Sequence, residues 1–333
     1  MEDDVILEVK NLKTVFRTDR GLINAVNGIS FSLRRGETLG IVGESGCGKS
    51  VTSLSIMRLI QSPPGEIVSG NIWYKTADAE VDIAALKPNG KEMRALRSNG
   101  IAMIFQEPMT SLNPIYMIGK QLVEGMVRNG RKTSQEAERI ALDLLKEVGF
   151  PNPERSMKMY PHELSGGMRQ RVMIAMALTA DPKILIADEP TTALDVTVEA
   201  QILALMEDLQ EKHRMSIIYI THNLNVIGEL TDRVLVMYTG NIVEMCTTED
   251  LFYDPQHPYT HGLLSSIPMI GADASLTPIR GSVPLLYDLP KGCSFYARCD
   301  HTLPCCQAEE PPLFEVKPGH FAACWHYGKD AAK

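Results

Sequence analysis

Between an apolar run at Thr38 to Val42 and a helical pattern carrying Leu54, Met57 and Ile60 stands the segment Gly43-Glu44-Ser45-Gly46-Cys47-Gly48-Lys49-Ser50. Strand, glycine-rich loop, helix: few folds accept that order, because the loop needs backbone angles that glycine alone adopts freely. The spacing is that of a phosphate-binding loop in the context that confirms it. Backbone N–H groups curl round the phosphates, and the helix N-terminus adds the positive end of its dipole. On this reading Lys49 reaches the β- and γ-phosphates and the Ser50 hydroxyl ligates Mg²⁺. Gly43, Glu44, Ser45, Gly46, Cys47, Gly48 and Val51 complete the predicted contact set.

The flanking chain has the alternation of an α/β protein. Val5, Leu7 and Val9 alternate, as do Ile29, Phe31 and Leu33, which places apolar side chains on one face of a strand. The helix after the loop is predicted to stop by Pro63-Pro64-Gly65. Thr133 and Glu136 form a capping box ahead of the stripe Ala137, Ile140, Ala141, Leu144, Leu145 and Val148, which Gly149 and Pro151 close. A buried strand is predicted at Ile184 to Ala187, a helix through Ile202, Leu205 and Leu209, and a further strand at Ile217 to Ile220. From about residue 246 the texture turns to Pro, His and Cys with little periodicity, which marks a candidate domain boundary; the tract His257-Pro258-Tyr259-Thr260, taken alone, reads as a turn-rich linker with an aromatic anchor.

Three further features bear on chemistry. The strand at 184–187 runs into Asp188-Glu189, a place from which one carboxylate can hold the magnesium shell and the next can orient or deprotonate water. Leu164-Ser165-Gly166-Gly167-Met168 precedes a helix with Val172, Met173, Met176 and Leu178. With the phosphate loop and the acid pair, this last segment resembles the signature motif of the ATP-binding-cassette family. The resemblance brings further matches. Gln106, after Ile104-Phe105, looks like the Q-loop glutamine, Ala193-Leu194-Asp195 like the D-loop, and His222 like the switch histidine. Phe16 stands where the family places an aromatic ring on adenine, and Asn223 where Asp is commoner.

What the resemblance implies is a P-loop ATPase core of α/β class, with an antiparallel β subdomain, an inserted α-helical subdomain and a small Cys-rich C-terminal region. The implied boundaries are 1–105 and 165–245 for the core, 106–164 for the helical subdomain and 246–333 for the C-terminal region. Glu189 would act as base, His222 would contact the γ-phosphate, and Gln106 would join Ser50 and Asp188 around Mg²⁺. Ser165, Gly166 and Gly167 would address ATP bound to a partner subunit, with Asp195 beside them.

The segments Glu107-Pro108-Met109-Thr110-Ser111-Leu112-Asn113-Pro114 and Gly166 to Leu178 are similar to those of di- and oligopeptide importers, as is His257-Pro258-Tyr259-Thr260. Met168 after the paired glycines is similar to one of two non-identical ATPase subunits. The implied partners are a sister ATPase subunit, two membrane permeases and an extracytoplasmic substrate-binding protein. The implied location is the cytoplasmic face of the membrane. The alternative is a soluble cassette ATPase working on DNA or ribosomes.

Composition narrows the choice. A formal charge of −8 argues against a general nucleic-acid binder. The acidic start Met1-Glu2-Asp3-Asp4 is unlike a secretory signal, and no run of 18 apolar residues suggests a span. Of seven cysteines, Cys293, Cys299, Cys305, Cys306 and Cys324 crowd the C-terminal region. Four thiolates suit zinc or an iron–sulfur cluster alike. The family resemblance selects a [4Fe–4S] cluster on Cys293, Cys299, Cys306 and Cys324, with Zn²⁺ as the alternative and Cys305 as a substitute for Cys306.

Overall fold

A computed structural model of the chain describes residues 4–76, 79–106, 111–128, 130–192, 194–267 and 278–328. The segment Glu107 to Thr110 and the D-loop residue Ala193 lie outside them.

The chain opens with two long antiparallel strands, β1 (Val5–Thr18) and β2 (Gly21–Arg34), closed by a bond from Thr18 Oγ1 to the Gly21 carbonyl. β3 (Thr38–Val42), buried throughout, leads into the glycine loop and α1 (Lys49–Ile56). That helix is shorter than the apolar pattern suggested: Arg58 adopts φ 52°, the left-handed region that ends a right-handed helix, so Met57 and Ile60 fall beyond it. β4 (Gly65–Lys75) and β5 (Glu80–Asp82) precede α2 (Lys91–Asn99), β6 (Ile101–Ile104), α3 (Ile118–Arg128) and α4 (Ser134–Glu147). Then come α5 (Gly166–Leu178), β7 (Ile184–Asp188), α6 (Val196–His213), β8 (Ser216–Thr221) and α7 (Leu224–Leu230). The chain ends with β9 (Arg233–Tyr238), β10 (Asn241–Thr247), α8 (Thr248–Tyr253), α9 (Pro258–Ser265), β11 (Phe314–Lys317) and β12 (His320–Ala322).

These elements form two compact units, one of Met1–Arg34, Thr38–Ala85 and Ile220–Lys333, the other of Arg35–Glu37 and Leu86–Tyr219. In the first, β2, β1, β4 and β5 make an antiparallel sheet in that order. A second run of strands, β11-β12-β10-β9-β3, pairs β3 parallel to β9 in the register Leu39 to Arg233 through Val42 to Val236. Val42, Ile227, Val234, Val236, Tyr238, Tyr259 and Phe295 form its core, each large side chain contributing on the order of 1.5–3 kcal/mol by leaving water.

In the second unit β6 lies parallel to β7, and α2 and α5 pack on β6. The predicted capping box is formed: Thr133 Oγ1 accepts from the Glu136 N–H, and the Glu136 carboxylate accepts from the Thr133 N–H at 2.9 Å. Gly149, at φ 82°, ends that helix, and Arg171 Nη1 donates to the Val148 carbonyl at 2.6 Å. One of the helix's last carbonyls is thereby satisfied.

The tract from His257 to Thr260 is not a linker but the capped start of α9. Glu244, wholly buried in β10, accepts from the Gln256 N–H at 2.6 Å, the His257 N–H at 2.9 Å and His320 Nε2 at 2.7 Å. Burial works against its ionised form, but the bonds to His320, Gln256 and His257 prevail and hold the carboxyl below the usual range. His257 in turn caps α9, its Nδ1 accepting from the Tyr259 N–H at 3.0 Å. This hub ties β10, β12 and α9 together.

Burial lowers the pKa of His257 to about 4. The unfolded chain binds a proton there below about pH 6.5 while the folded chain does not, so stability is lost as pH falls from 6.5 toward 4. Urea unfolding followed by tryptophan fluorescence is expected to show a loss on the order of 3 kcal/mol across that window. His257→Asn is expected to flatten the slope between pH 6.5 and 5.

Candidate functional site

Three glycines of the loop take backbone angles that other residues rarely adopt. Gly43, Gly46 and Gly48 take φ values of 154°, 81° and 105°. A Cβ on Gly48 would stand 2.3 Å from the Ala25 carbonyl oxygen, and one on Gly43 would stand 2.2 Å from that of Met237. The loop thus lies directly on β2 and on the turn that follows β9. The Gly240 N–H donates to the Cys47 carbonyl and the Asn27 N–H to the Gly240 carbonyl, both at 2.9 Å. Cys47 is fully buried beneath the loop, and burial pushes its thiol up, so it is a packing group and no nucleophile.

Lys49 crosses back over the loop it ends. Its Nζ donates to the carbonyls of Gly43 at 2.7 Å and Glu44 at 3.1 Å, and the side chain is buried. Ser50 and Val51, half-buried, form the first turn of α1 after it, while Ser45 and Gly46 are exposed. Exposed N–H groups, a cation and a helix start make an anion site. On the same unit, Phe16 is half-buried in β1 opposite Gly65 and Ile23. His222 is exposed just after β8. Asn223 caps α7, accepting from the Asn225 N–H at 3.1 Å, so amide serves where carboxylate is commoner.

The other unit carries the acidic residues. Asp188 closes β7 and is buried, with the next residue, Glu189, at φ 47°. A left-handed turn at a residue other than glycine stores strain, and such residues gather at functional sites. Gln106 Nε2 donates to Glu189 Oε2 at 2.9 Å, and Thr192 Oγ1 donates to the same oxygen at 3.0 Å. The structure therefore brings together two residues that sequence reading had placed in one site, 83 positions apart. Thr192 is a partner that reading missed; its signal was the spacing of three from Glu189, one turn onward.

Ser165 and Asp195 stand at helix starts. Ser165 Oγ accepts from the Met168 N–H at 3.3 Å as the cap of α5, and Asp195 accepts from the Val198 N–H at 3.0 Å as the cap of α6. Both are exposed, as is Gly166. Gly167 has no room for a side chain, since a Cβ would meet Val198 Cγ1 at 2.6 Å. Ser50 on the first unit, and Gln106 and Asp188 on the second, each offer an oxygen donor of the hard kind that Mg²⁺ prefers.

The C-terminal thiols do gather. Cys293, Cys299, Cys306 and Cys324 line one small cavity with His257, Phe295 and Trp325, but it measures only about 10 Å³, room for no more than one water. Burial pushes the thiols of Cys293 and Cys324 up to about 11. Backbone N–H groups already donate to sulfur, from His301 to Cys299 at 3.3 Å and from Leu303 to Cys306 at 3.4 Å. Among the described residues, the one set of ligand atoms within 4.8 Å of one another is Glu244, Cys246 and His320, whose carboxylate the hub already uses.

The chain is similar to known proteins along nearly its whole length. The ABC transporter family pattern matches residues 26–192, and the pattern called oligopeptide/dipeptide transporter, C-terminal region, matches 243–306. The chain is 50% identical over 329 residues to the oligopeptide transport ATP-binding protein AppD of Bacillus subtilis, covering 98% of each. It is 48% identical to the dipeptide transport ATP-binding protein DppD of the same organism, over 96% of this chain and 94% of that one. A dimeric ATP-binding cassette solved with ADP and Pi after hydrolysis superposes with TM-score 0.63 at 26% identity, over 73% of this chain and 98% of that chain. The cbiO1 protein of Clostridium perfringens, part of the transporter complex cbiONQ, does so with TM-score 0.62 at 28% identity, covering 75% of this chain and 92% of that one.

One expectation is overturned. A [4Fe–4S] cluster on Cys293, Cys299, Cys306 and Cys324 conflicts with the relatives about 50% identical over nearly the whole chain, which are ordinary ATP-binding proteins of peptide transport. The cavity among the four thiols, only about 10 Å³, is too small for a cluster, and nothing supports Zn²⁺ in its place. The thiols act as small apolar groups in the packing of the tail.

The loop geometry has a measurable consequence. Gly46→Ala meets no atom within 4 Å and is expected to cost about 1–2 kcal/mol in urea unfolding, the conformational penalty alone. Gly48→Ala adds a clash with backbone and is expected to cost more.

Proposed function

We propose how the residues share the work from one premise: the chain belongs to the ABC transporter family, as an ATP-hydrolysing subunit of peptide import. Such a subunit works on membrane permeases, and no helix among the described residues is long and apolar enough to cross a membrane. The chain's own part is to bind ATP, hydrolyse it and change its contacts as it does so.

The loop from Gly43 to Val51 wraps the phosphates, with Lys49 turning from the carbonyls of Gly43 and Glu44 to the β- and γ-phosphates. Phe16 offers its ring to adenine. Ser50, Asp188 and Gln106 hold Mg²⁺, which neutralises charge on the phosphate oxygens when bound. Glu189 takes the proton from the attacking water, and His222 contacts the γ-phosphate. The observation that carries this assignment is the bond from Gln106 to Glu189: the glutamine of one loop fixes the carboxylate that must meet water.

Ser165, Gly166 and Gly167 address the γ-phosphate of ATP held by a sister subunit, with Asp195 alongside. The exposure of Ser165, Gly166 and Asp195 supports that role, as does the dimeric state of the similar cassette. Met168 favours a non-identical sister, hence a heterodimer on the cytoplasmic face, served by two permeases and an extracytoplasmic substrate-binding protein. Residues 106–164 form the helical part that meets the permeases, and 246–333 the peptide-importer region. ATP draws the pair closed and hydrolysis lets it reopen. A cassette acting on DNA or ribosomes is not favoured, given the net charge of −8 and the transport proteins it resembles.

Glu189→Gln is expected to lower ATPase turnover by roughly 10²- to 10⁴-fold while ATP still binds, the scale of a lost general base. Near-normal phosphate release would remove Glu189 from its role. Lys49→Ala is expected to abolish binding of a fluorescent ATP analogue in an equilibrium titration; retained affinity would contradict its placement on the phosphates.

A further inference from the structure

Glu44 is an awkward residue for an anion-binding loop. A carboxylate beside the seat of a triphosphate repels it, and in a partly buried setting that repulsion is weakly screened. The structure shows how the charge is handled. Arg298, from the C-terminal region, grips it with two nitrogens: Nη1 donates to Oε2 at 2.6 Å and Nη2 to Oε1 at 3.1 Å. The guanidinium is nearly sealed from solvent, its side chain 5% exposed. Its other donors are engaged too, Nε with the Arg280 carbonyl at 2.9 Å and Nη1 with the Tyr238 hydroxyl at 3.3 Å.

A second contact fixes the same residue from the backbone side. The Glu44 N–H donates to the hydroxyl of Tyr259 at 2.9 Å. Burial holds that phenol well above its ordinary pKa, so it stays a neutral hydroxyl able to accept. Tyr259 is wholly buried, its ring 4.7 Å from that of Tyr238 and 5.4 Å from Phe295. It is placed by α9, which His257 caps and Glu244 anchors. Side chain and main chain of one loop residue are therefore both set by elements more than 200 positions later.

We propose that Arg298 and Tyr259 are positioning residues for ATP binding: the C-terminal region clasps Glu44, neutralises its charge and so sets the phosphate loop in its anion-binding shape. This rests on the loop being the ATP site. It adds a role for the C-terminal region in nucleotide affinity. Two-pronged recognition of a carboxylate suits arginine, and lysine would keep the charge without the fork.

The test compares full-length wild type with Arg298→Ala, Arg298→Lys and the double variant Glu44→Gln/Arg298→Ala. Equilibrium titration with a fluorescent ATP analogue in Mg²⁺ buffer and phosphate release by the assembled transporter give affinity, KM and kcat. Arg298→Ala is expected to weaken ATP binding and raise KM by 10- to 100-fold while kcat at saturation changes less than threefold, with Arg298→Lys between it and wild type. The double variant is expected to recover most of the affinity, because the repelling carboxylate is gone.

Unchanged affinity in Arg298→Ala, or a double variant as weak as the single one, would overturn the proposal; the second result would mean the arginine matters only for packing. If Arg298→Ala does not fold, Arg298→Lys alone decides, since wild-type affinity in that variant would equally overturn it. Absence of ATP binding by the wild type itself would instead strike at the function proposed above.

Discussion

At Gly43 and Gly48 the phosphate loop meets neighbouring backbone that leaves no space for a side chain, and much of its unit is arranged to keep it so. Gly43 lies against the Met237 carbonyl and Gly48 against that of Ala25, so β2 and the end of β9 form the floor on which the loop turns. The bonds through Gly240 join the two. Such a surface is rigid before any ligand arrives, which matters because ordering a loop on binding would subtract from affinity. Lys49 adds to this by bonding to carbonyls of its own loop, a cation held in place by weak partners that an anion can outcompete.

The catalytic carboxylate is prepared differently. Glu189 sits at the close of a buried strand in a left-handed turn, and two neutral donors, from Gln106 and Thr192, meet on one of its oxygens. Gln106 follows β6 and Glu189 follows β7, strands that lie side by side in parallel register from Ile101 to Ile184. A pairing between main chains thus sets the distance between a glutamine and a glutamate far apart in sequence. The strain at Glu189 is held by the buried strand before it.

Much of this was legible because the chemistry fixes residue type and order together. The glycine loop, the acid pair after an apolar strand and the Ser165-Gly166-Gly167 helix start each follow from a backbone requirement, and the capping box at Thr133 formed as its spacing predicted. What sequence pattern could not show was whatever depended on distant partners. The tract at His257 to Thr260 read as a linker because its order comes from Glu244, one buried carboxylate bonded to Gln256, His257 and His320, and no periodicity records such a hub. Strands β11 and β12 escaped notice for a related reason, since both are short, β12 being completed by pairing with β10 and β11 by pairing with β12. The cysteines misled in the opposite direction: their crowding along the chain suggested a metal, whereas the space they enclose is about 10 Å³.

The account stands or falls on whether this loop turns over ATP within a transporter. The most direct measurement is inorganic phosphate release by the chain reconstituted in liposomes with its sister subunit, permeases and binding protein, with labelled peptide uptake followed in parallel. The account predicts phosphate release that saturates with MgATP and rises together with peptide accumulation. Peptide accumulation that proceeds without phosphate release, or an assembled complex that binds MgATP and releases none, would contradict it.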